Sequence, residues 1–519
     1  MKINIVNSSS EIISSKDNIY LLTDKWNDYS FETLFHLFVV AENRVIRIGE
    51  MKIGFIGQTE EISTRYKLNN LDMSCLPENF FSLGGSEEYY ENIAKLNEEL
   101  KNLVLKLLND VAFNKEIIPN IKNEEVFKTS FLRSVSLTTI KERYKRVLTG
   151  DSSLSDFSFY FERKDIENLS NIKLSFEVTA ESIPSTNIHA MIGRNGIGKT
   201  TILNGMIDSI ANPNKESQLF TKNLFNDKKV IDKEFFSTLI SVSFSAFDPF
   251  EPPEEQPNPA LGTCYYYIGL KNEDISDELK SINDFYSSNF KIQHLEFANF
   301  LIQIKSEKYR IRKWKEAIQT LESDKNFAEM NLIALLDFMP EEIKYQAMNV
   351  ISKMSSGHAV VLLTITGLVR RVEEKSLVLI DEPESHLHPP LLSAFIRTLS
   401  NLLTSRNGVA IIATHSPVVL QEIPKSCAWK INRYGSICKT TRPETETFGE
   451  NVGILTRDVF GLEVEKSGFY SLLNTSVSTG KSFAEIMHQY NQQLGTEGRI
   501  ILATLIASRD RSSDSVKDL

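Results

Sequence analysis

Residues 188–200 read Ile188-His-Ala-Met-Ile-Gly193-Arg194-Asn195-Gly196-Ile197-Gly198-Lys199-Thr200. An apolar, strand-like run, Ile188 to Ile192, enters a glycine-rich loop, and a helical stretch, Thr200 to Ile210, leaves it. Gly193 to Thr200 matches G-x-x-x-x-G-K-[ST], the P-loop that cradles a phosphate chain. The chemistry needs these residue types. Glycines let the backbone wrap closely and aim N–H groups at phosphate oxygens. The helix adds its positive N-terminal end. Lys199 supplies a mobile positive charge for the β- and γ-phosphates, and the Thr200 hydroxyl is placed to ligate Mg²⁺. With Gly193, Arg194, Asn195, Gly196, Gly198 and Thr201 completing the loop, ATP and Mg²⁺ are the expected cofactors.

Downstream, Ser376-Leu-Val-Leu-Ile-Asp381-Glu382-Pro383 is an apolar run ending in two carboxylates. Near-continuous apolar character is what a central parallel strand requires. Asp381 is expected to hold Mg²⁺, and Glu382 to polarise an attacking water as general base. A second buried strand, Val409 to Thr414, ends at His415-Ser-Pro417. Between these elements and the P-loop lies Met354-Ser355-Ser356-Gly357-His358, opening a helix expected over Ala359 to Glu373. Hydroxyls and unpaired N–H groups at a helix start form an anion site. The same serine would equally serve as an ordinary N-cap.

Strands are expected at Phe157–Phe161, Ile172–Val178, Thr238–Phe244 and Tyr265–Leu270, and a helix over Pro390–Thr404. Their alternation with helices predicts an α/β class with a mainly parallel sheet covered on both faces. This core spans 156–460, with a helical insertion at 271–350. Residues 1–155 read as an N-terminal α+β extension. It holds a hairpin between Thr33–Val40 and Val45–Ile56, one helix over 87–113 with an Ile93, Leu96, Leu100, Leu103, Leu107 stripe, a polar loop from Asn114 to Lys128, and helix over 130–148. Residues 461–519 are expected to be helical after a hairpin at Tyr434-Gly435, with a frayed tail from Ser508.

Together these motifs resemble the ABC-type ATPases over 157–460, in their soluble, SMC/OLD-like AAA branch. In that class the Ser355, Ser356, Gly357 signature faces the γ-phosphate held by a second subunit, and His415 is the switch histidine. The resemblance therefore implies a head-to-tail dimer. Asp381-Glu-Pro-Glu384-Ser-His386-Leu-His388-Pro389 is typical of DNA-repair ATPases, overcoming-lysogenization-defect nucleases and antiphage ATPases rather than transporter cassettes. The usual glutamine after the second core strand is not evident, and Ser245 or Asp248 stands near its place. The insertion is too short for a long coiled coil, and nothing after Pro417 resembles a TOPRIM domain, so no intrinsic nuclease centre is expected. Phe81 to Tyr90 (FSLGGSEEYY), Arg133…Arg143…Gly150 and Gly449 to Gly461 resemble the PtuA-type ATPases of Septu systems, some of which accompany retrons. Those work with a separate HNH endonuclease, which implies such a partner here and an antiphage role. A DNA-repair or chromosome-maintenance ATPase acting directly on DNA is the alternative.

The net charge of −10 argues against general polyanion binding. Any nucleic-acid contact must come from a local patch. Lys305, Lys308, Arg310, Arg312, Lys313 and Lys315, with Tyr309 and Trp314, form one candidate, and Lys141, Arg143, Lys145 and Arg146 another. Both also read as solvated helices with their aromatics in the core. No apolar run reaches the roughly 18–20 residues that span a bilayer. With no signal-peptide pattern and four scattered cysteines, Cys75, Cys264, Cys427 and Cys438, the expectation is a cytoplasmic protein with reduced, buried thiols.

Overall fold

The structure is a computed structural model. It describes residues 1–519 except 25, 27–29, 69–72, 134, 150–153, 165–170, 212–216, 223–226, 233, 245–250, 270–275, 287–290, 436, 462–467 and 516–519. In chain order the strands are β1 (Ile3–Val6), β2 (Ile19–Thr23), β3 (Leu34–Ala41), β4 (Arg44–Phe55), β5 (Phe80–Gly84), β6 (Phe157–Arg163), β7 (Ile172–Val178) and β8 (Ile188–Ile192). They continue with β9 (Ser217–Lys222), β10 (Lys228–Val230), β11 (Thr238–Ser243), β12 (Cys264–Ile268), β13 (Ser376–Asp381), β14 (Val409–Thr414), β15 (Ala428–Tyr434) and β16 (Ile437–Thr441). They form three sheets, ordered β1-β2-β3-β4-β5, β10-β9-β6-β7 and β12-β11-β13-β14-β8-β15-β16. The last is parallel throughout, except for the antiparallel β15–β16 hairpin at its edge.

Alternating side chains explain why the central strands are apolar at every position. Val378, Ile380, Ala410, Ile412 and Ile192 join a core under the insertion helices. Leu377, Leu379, Val409, Ile411 and Met191 join a second core against β6, β7 and the helix Lys199–Ala211. Each Val, Leu or Ile hidden there contributes roughly 1.5–3 kcal/mol. The insertion helices Ile292–Lys305, Lys308–Leu321 and Pro340–Ser352 pack with the helix Ser356–Arg371 in the first core.

The N-terminal sheet has its own core, in which Phe81, Tyr89, Tyr90, Phe127 and Phe131 are buried. Its β3–β4 hairpin turns through Glu42 and Asn43, both at positive φ (51° and 59°), as a two-residue primed turn requires. Several expectations are corrected in this region. The single helix over 87–113 is two, Glu87–Ala94 and Glu98–Leu107, because Asn97 caps the second by accepting from the Leu100 amide. That break rotates the stripe: Leu103 is exposed, and Val104, Leu105 and the Lys101 stem are buried instead. The polar 114–128 stretch holds short helices, Ile118–Ile121 and Glu125–Thr129, that bury Ile118, Ile121, Val126 and Phe127. The C-terminal helix is Thr496–Ser515. Cys75 is exposed, Cys438 is half-buried, and Cys264 and Cys427 are buried.

Most cations of the two basic clusters have partners within the chain. Arg310 is buried, donating to the Val369 carbonyl and paired with Glu307 and Glu373. Lys308 and Arg312 reach Glu88 and Glu91 of the N-terminal unit, Lys305 bonds the Phe338 carbonyl, Lys313 pairs with Glu316, and Trp314 is buried. In the second cluster, Arg143 and Arg406 clasp Glu87 from two sides at 2.5 and 2.6 Å. Arg146 pairs with buried Glu374, and Lys141 with Glu234. Lys308, Arg312 and Arg406 thus reach from the core to Glu88, Glu91 and Glu87 of the N-terminal unit, while Lys315 and Lys145 are exposed. The Glu87 of the FSLGGSEEYY stretch is thereby explained as a docking residue.

Candidate nucleotide site

The strand order sets β8, β14 and β13 side by side, all parallel, with Ile192 opposite Thr414 and Asp381 opposite Ala413. Their carboxyl ends therefore open into one crevice, where parallel α/β sheets place their ligands. Three segments meet there: Gly193–Thr200, Asp381–Glu384 and Thr414–Ser416.

The loop geometry accounts for its glycines. A Cβ on Gly193 would lie 2.4 Å from the Ile431 carbonyl oxygen, while Gly196 and Gly198 have φ of 77° and 98°. The buried Lys199 ammonium donates to the Gly193 and Arg194 carbonyls at 3.0 and 2.9 Å and lies 3.8 Å from Glu382. Burial lowers its pKa from the ordinary lysine value, against Glu382, Asp381 and Glu384, which raise it. The Thr200 hydroxyl donates to Asp381 Oδ2 at 2.7 Å. A hydroxyl and a carboxylate meeting at a loop lined with amides form a hard-oxygen set that suits Mg²⁺ beside a polyphosphate. Arg194, Asn195 and Thr201 are exposed around it.

Glu382 occupies the left-handed region (φ 44°, ψ 57°), unusual for a residue with a side chain. Its amide donates to the Ala413 carbonyl at 2.9 Å, and Pro383 follows as the first residue of a short 3₁₀ turn. Such a conformation costs on the order of 1–3 kcal/mol and persists where neighbours enforce it. One enforcing neighbour is Glu384, which the sequence reading quoted in its motif but gave no role. Its Oε1 accepts from the Thr414 hydroxyl (2.7 Å) and from the His415 and Ser416 amides (2.5 and 3.2 Å). His415 Nδ1 lies 3.0 Å from that oxygen and 3.8 Å from Glu382. No local pattern marks this role, because its partners Thr414, His415 and Ser416 lie in another segment.

The structure thus brings Lys199, Thr200, Asp381, Glu382 and His415 together. It gathers Ser355, Ser356 and Gly357 elsewhere, against His386 and His388. Ser355 caps the helix Ser356–Arg371; Ser355 and Ser356 are exposed, and Gly357 is buried. A Cβ on Gly357 would lie 2.3 Å from the His386 carbonyl oxygen, so close approach makes glycine necessary there. Ser245 and Asp248, the candidates for the missing glutamine, lie outside the described residues.

Comparison with known proteins fits this geometry. Protein ea59 of Escherichia phage lambda is 50% identical over 514 residues, covering 95% of this chain and 96% of that protein. The chain belongs to the ea59 family. The family model described as "AAA domain, putative AbiEii toxin, Type IV TA system" matches residues 188–421, the stretch carrying every site motif. The "Retron Vc95 probable ATPase" of Vibrio cholerae serotype O1 biovar El Tor is 28% identical over 173 residues, 31% of this chain and 33% of that protein. Among solved structures, the SMC head domain from Thermotoga maritima covers 55% of this chain and 98% of its own at 11% identity and a TM-score of 0.28. This ea59-family chain carries the AAA-domain match on its parallel α/β sheet, with the P-loop at the strand ends. Among the described residues, no helix is long and apolar enough to cross a membrane.

Proposed function

We propose that this protein hydrolyses ATP with Mg²⁺ between two head-to-tail copies. The carrying observation is the convergence of Lys199, the Thr200–Asp381 pair, Glu382 and His415 at adjacent strand ends. Lys199 and the loop amides bind the phosphates. Thr200 and Asp381 hold Mg²⁺, which when bound offsets charge on the β- and γ-phosphates. Glu382 orients and deprotonates the attacking water, and His415, fixed by Glu384, senses the γ-phosphate. The exposed turn Ser355–Gly357 completes the site of a second copy. The test is steady-state ATPase activity of the wild type against Glu382→Gln, with sedimentation of both in Mg-ATP. An active Glu382→Gln variant would refute the assignment.

The biological reading is an antiphage regulatory ATPase that controls a separate nuclease, of HNH type. It is supported by the alignment with the retron ATPase and by the resemblance to PtuA-type proteins. Control of a partner is favoured over direct action on DNA, because most cations of the two basic clusters are paired with carboxylates of the chain itself. Affinity purification of the tagged chain from its own host, followed by mass spectrometry, tests this. Recovery of DNA with no co-purifying nuclease would favour the direct-acting alternative.

A further inference from the structure

At the far end of the helix that leaves the phosphate loop, the chain opens a groove of about 780 Å³, within the size range of ligand pockets. Three elements wall it: the last turn of the helix Lys199–Ala211, the end of β10 at Val230 to Asp232, and the proline-rich segment that leads into β12. That segment is fixed in place. Gln256 and Tyr265 exchange backbone hydrogen bonds at 3.0 and 2.9 Å. The Gln256 side chain donates to the Thr263 carbonyl at 3.2 Å, and the Thr263 hydroxyl donates to the Phe236 carbonyl at 2.9 Å. The groove is therefore preformed.

Among the described residues, every charged side chain lining the groove is a carboxylate: Asp232, Glu254 and Glu255. Glu254 is exposed and makes no ion pair with a described residue. Asp232 meets Lys229 at 3.7 Å with both ends exposed, and Glu255 lies 3.4 Å from Arg371. Pairs this exposed hold weakly and exchange readily for another cation. The helix adds the negative end of its dipole, with no basic residue in its last turn to offset it. Apolar side chains stand among these charges. Leu261 and Val230 are 63% and 55% exposed, and Ile210 and Pro253 are half-buried.

We propose that this groove docks a basic, partly apolar segment of a partner protein, with lysine or arginine heads on Asp232, Glu254 and Glu255 and apolar groups on Leu261 and Val230. Charge complementarity selects the occupant. The same carboxylates repel nucleic acid and anionic lipid. A bare metal ion would leave the apolar side chains uncovered, and among the described residues no three of these carboxylates converge within ligating reach. A second copy is a poor match, at net charge −10 and with most of its clustered cations already paired to its own carboxylates. Long basic side chains suit such a surface, because their stems lie on apolar groups while their heads reach the carboxylates. The helix of 13 residues sets the docked segment about 20 Å from Lys199, clear of the phosphate loop. Docking there requires neither ATP nor pairing of copies, so it stands or falls apart from the reading above.

The test is fluorescence anisotropy of a labelled octapeptide alternating lysine and leucine, titrated with the full-length chain. The wild type should bind it, more weakly as salt rises. Glu254→Lys combined with Asp232→Lys should weaken binding by about tenfold or more. Leu261→Ser should weaken it by about threefold, through lost apolar contact. All three side chains are exposed, so these variants should fold as the wild type does, which thermal melting checks. Glu60→Lys combined with Glu61→Lys makes the same charge change at exposed positions of the N-terminal unit, and should leave the affinity unaltered. An equal loss in that control, or equal binding of a lysine–serine peptide, would mean non-specific charge attraction and overturn the docking site. Unchanged affinity in the groove variants, or no binding by the wild type, would overturn it as well.

Discussion

Glu382 combines a left-handed backbone, a lysine at 3.8 Å and a histidine at 3.8 Å. A general base at that position should lower turnover by about 10²–10⁴-fold when replaced by glutamine, with ATP affinity retained; single-turnover assays and calorimetry check the two halves. Lys199→Ala should instead lose nucleotide affinity, and unaltered binding by calorimetry would contradict the role of its ammonium. His189 shows a residue whose effect is on stability. It is fully buried, edge-on to Phe176, and burial pushes its pKa down to about 3. The unfolded ring takes a proton near pH 6.5, while the folded ring does so only near pH 3. Stability is therefore unaffected above about pH 6.5 and falls as pH drops below it, by up to about 1.4 kcal/mol per pH unit. Acid denaturation of His189→Phe should lack this component. At this scale the sequence was most legible where a motif fixes geometry: Gly193–Thr200 and Asp381–Glu382 lie where their patterns require. Glu384 was not legible as a site residue, because its partners lie in another segment.

Among the elements, the helix Ser356–Arg371 and the loop after Glu382 act as one packed unit. Gly357→Ala would push a methyl carbon to within 2.3 Å of the His386 carbonyl oxygen. The expected cost is about 1–3 kcal/mol, read as a lower chemical-denaturation midpoint together with reduced ATPase rate; unchanged stability would place the loop elsewhere. The joint between the N-terminal unit and the core is similarly specific. Burial raises the Glu87 carboxyl's pKa, but Arg406 and Arg143 outweigh that and hold it below its ordinary value. Glu87→Ala leaves two buried guanidinium groups without their shared anion, and should destabilise by about 3–5 kcal/mol, measurable in urea. Strand periodicity was readable because both faces of the sheet are covered. The helix break at Asn97 and the pairing of the basic clusters were not, since local polarity is the same for a capped break, a buried ion pair and a solvated face.

At the scale of the whole molecule, the parallel order of β13, β14 and β8 brings Lys199, Thr200, Asp381, Glu382 and His415 to one end of the sheet. The same chain holds its signature turn apart from them, exposed at Ser355 and Ser356. The proposed completion of the site by a second copy is tested most directly by mixing. Lys199→Ala lacks phosphate binding but keeps an intact turn; Ser355→Glu keeps the loop but opposes the γ-phosphate with a negative charge. Each should be inactive alone. Mixed in equal amounts they should regain about one quarter of the wild-type ATPase rate, because half of random pairs are mixed and each holds one intact site of two. No regained activity in a mixture shown to form pairs, or full activity of Ser355→Glu by itself, would contradict completion of the nucleotide site across two subunits.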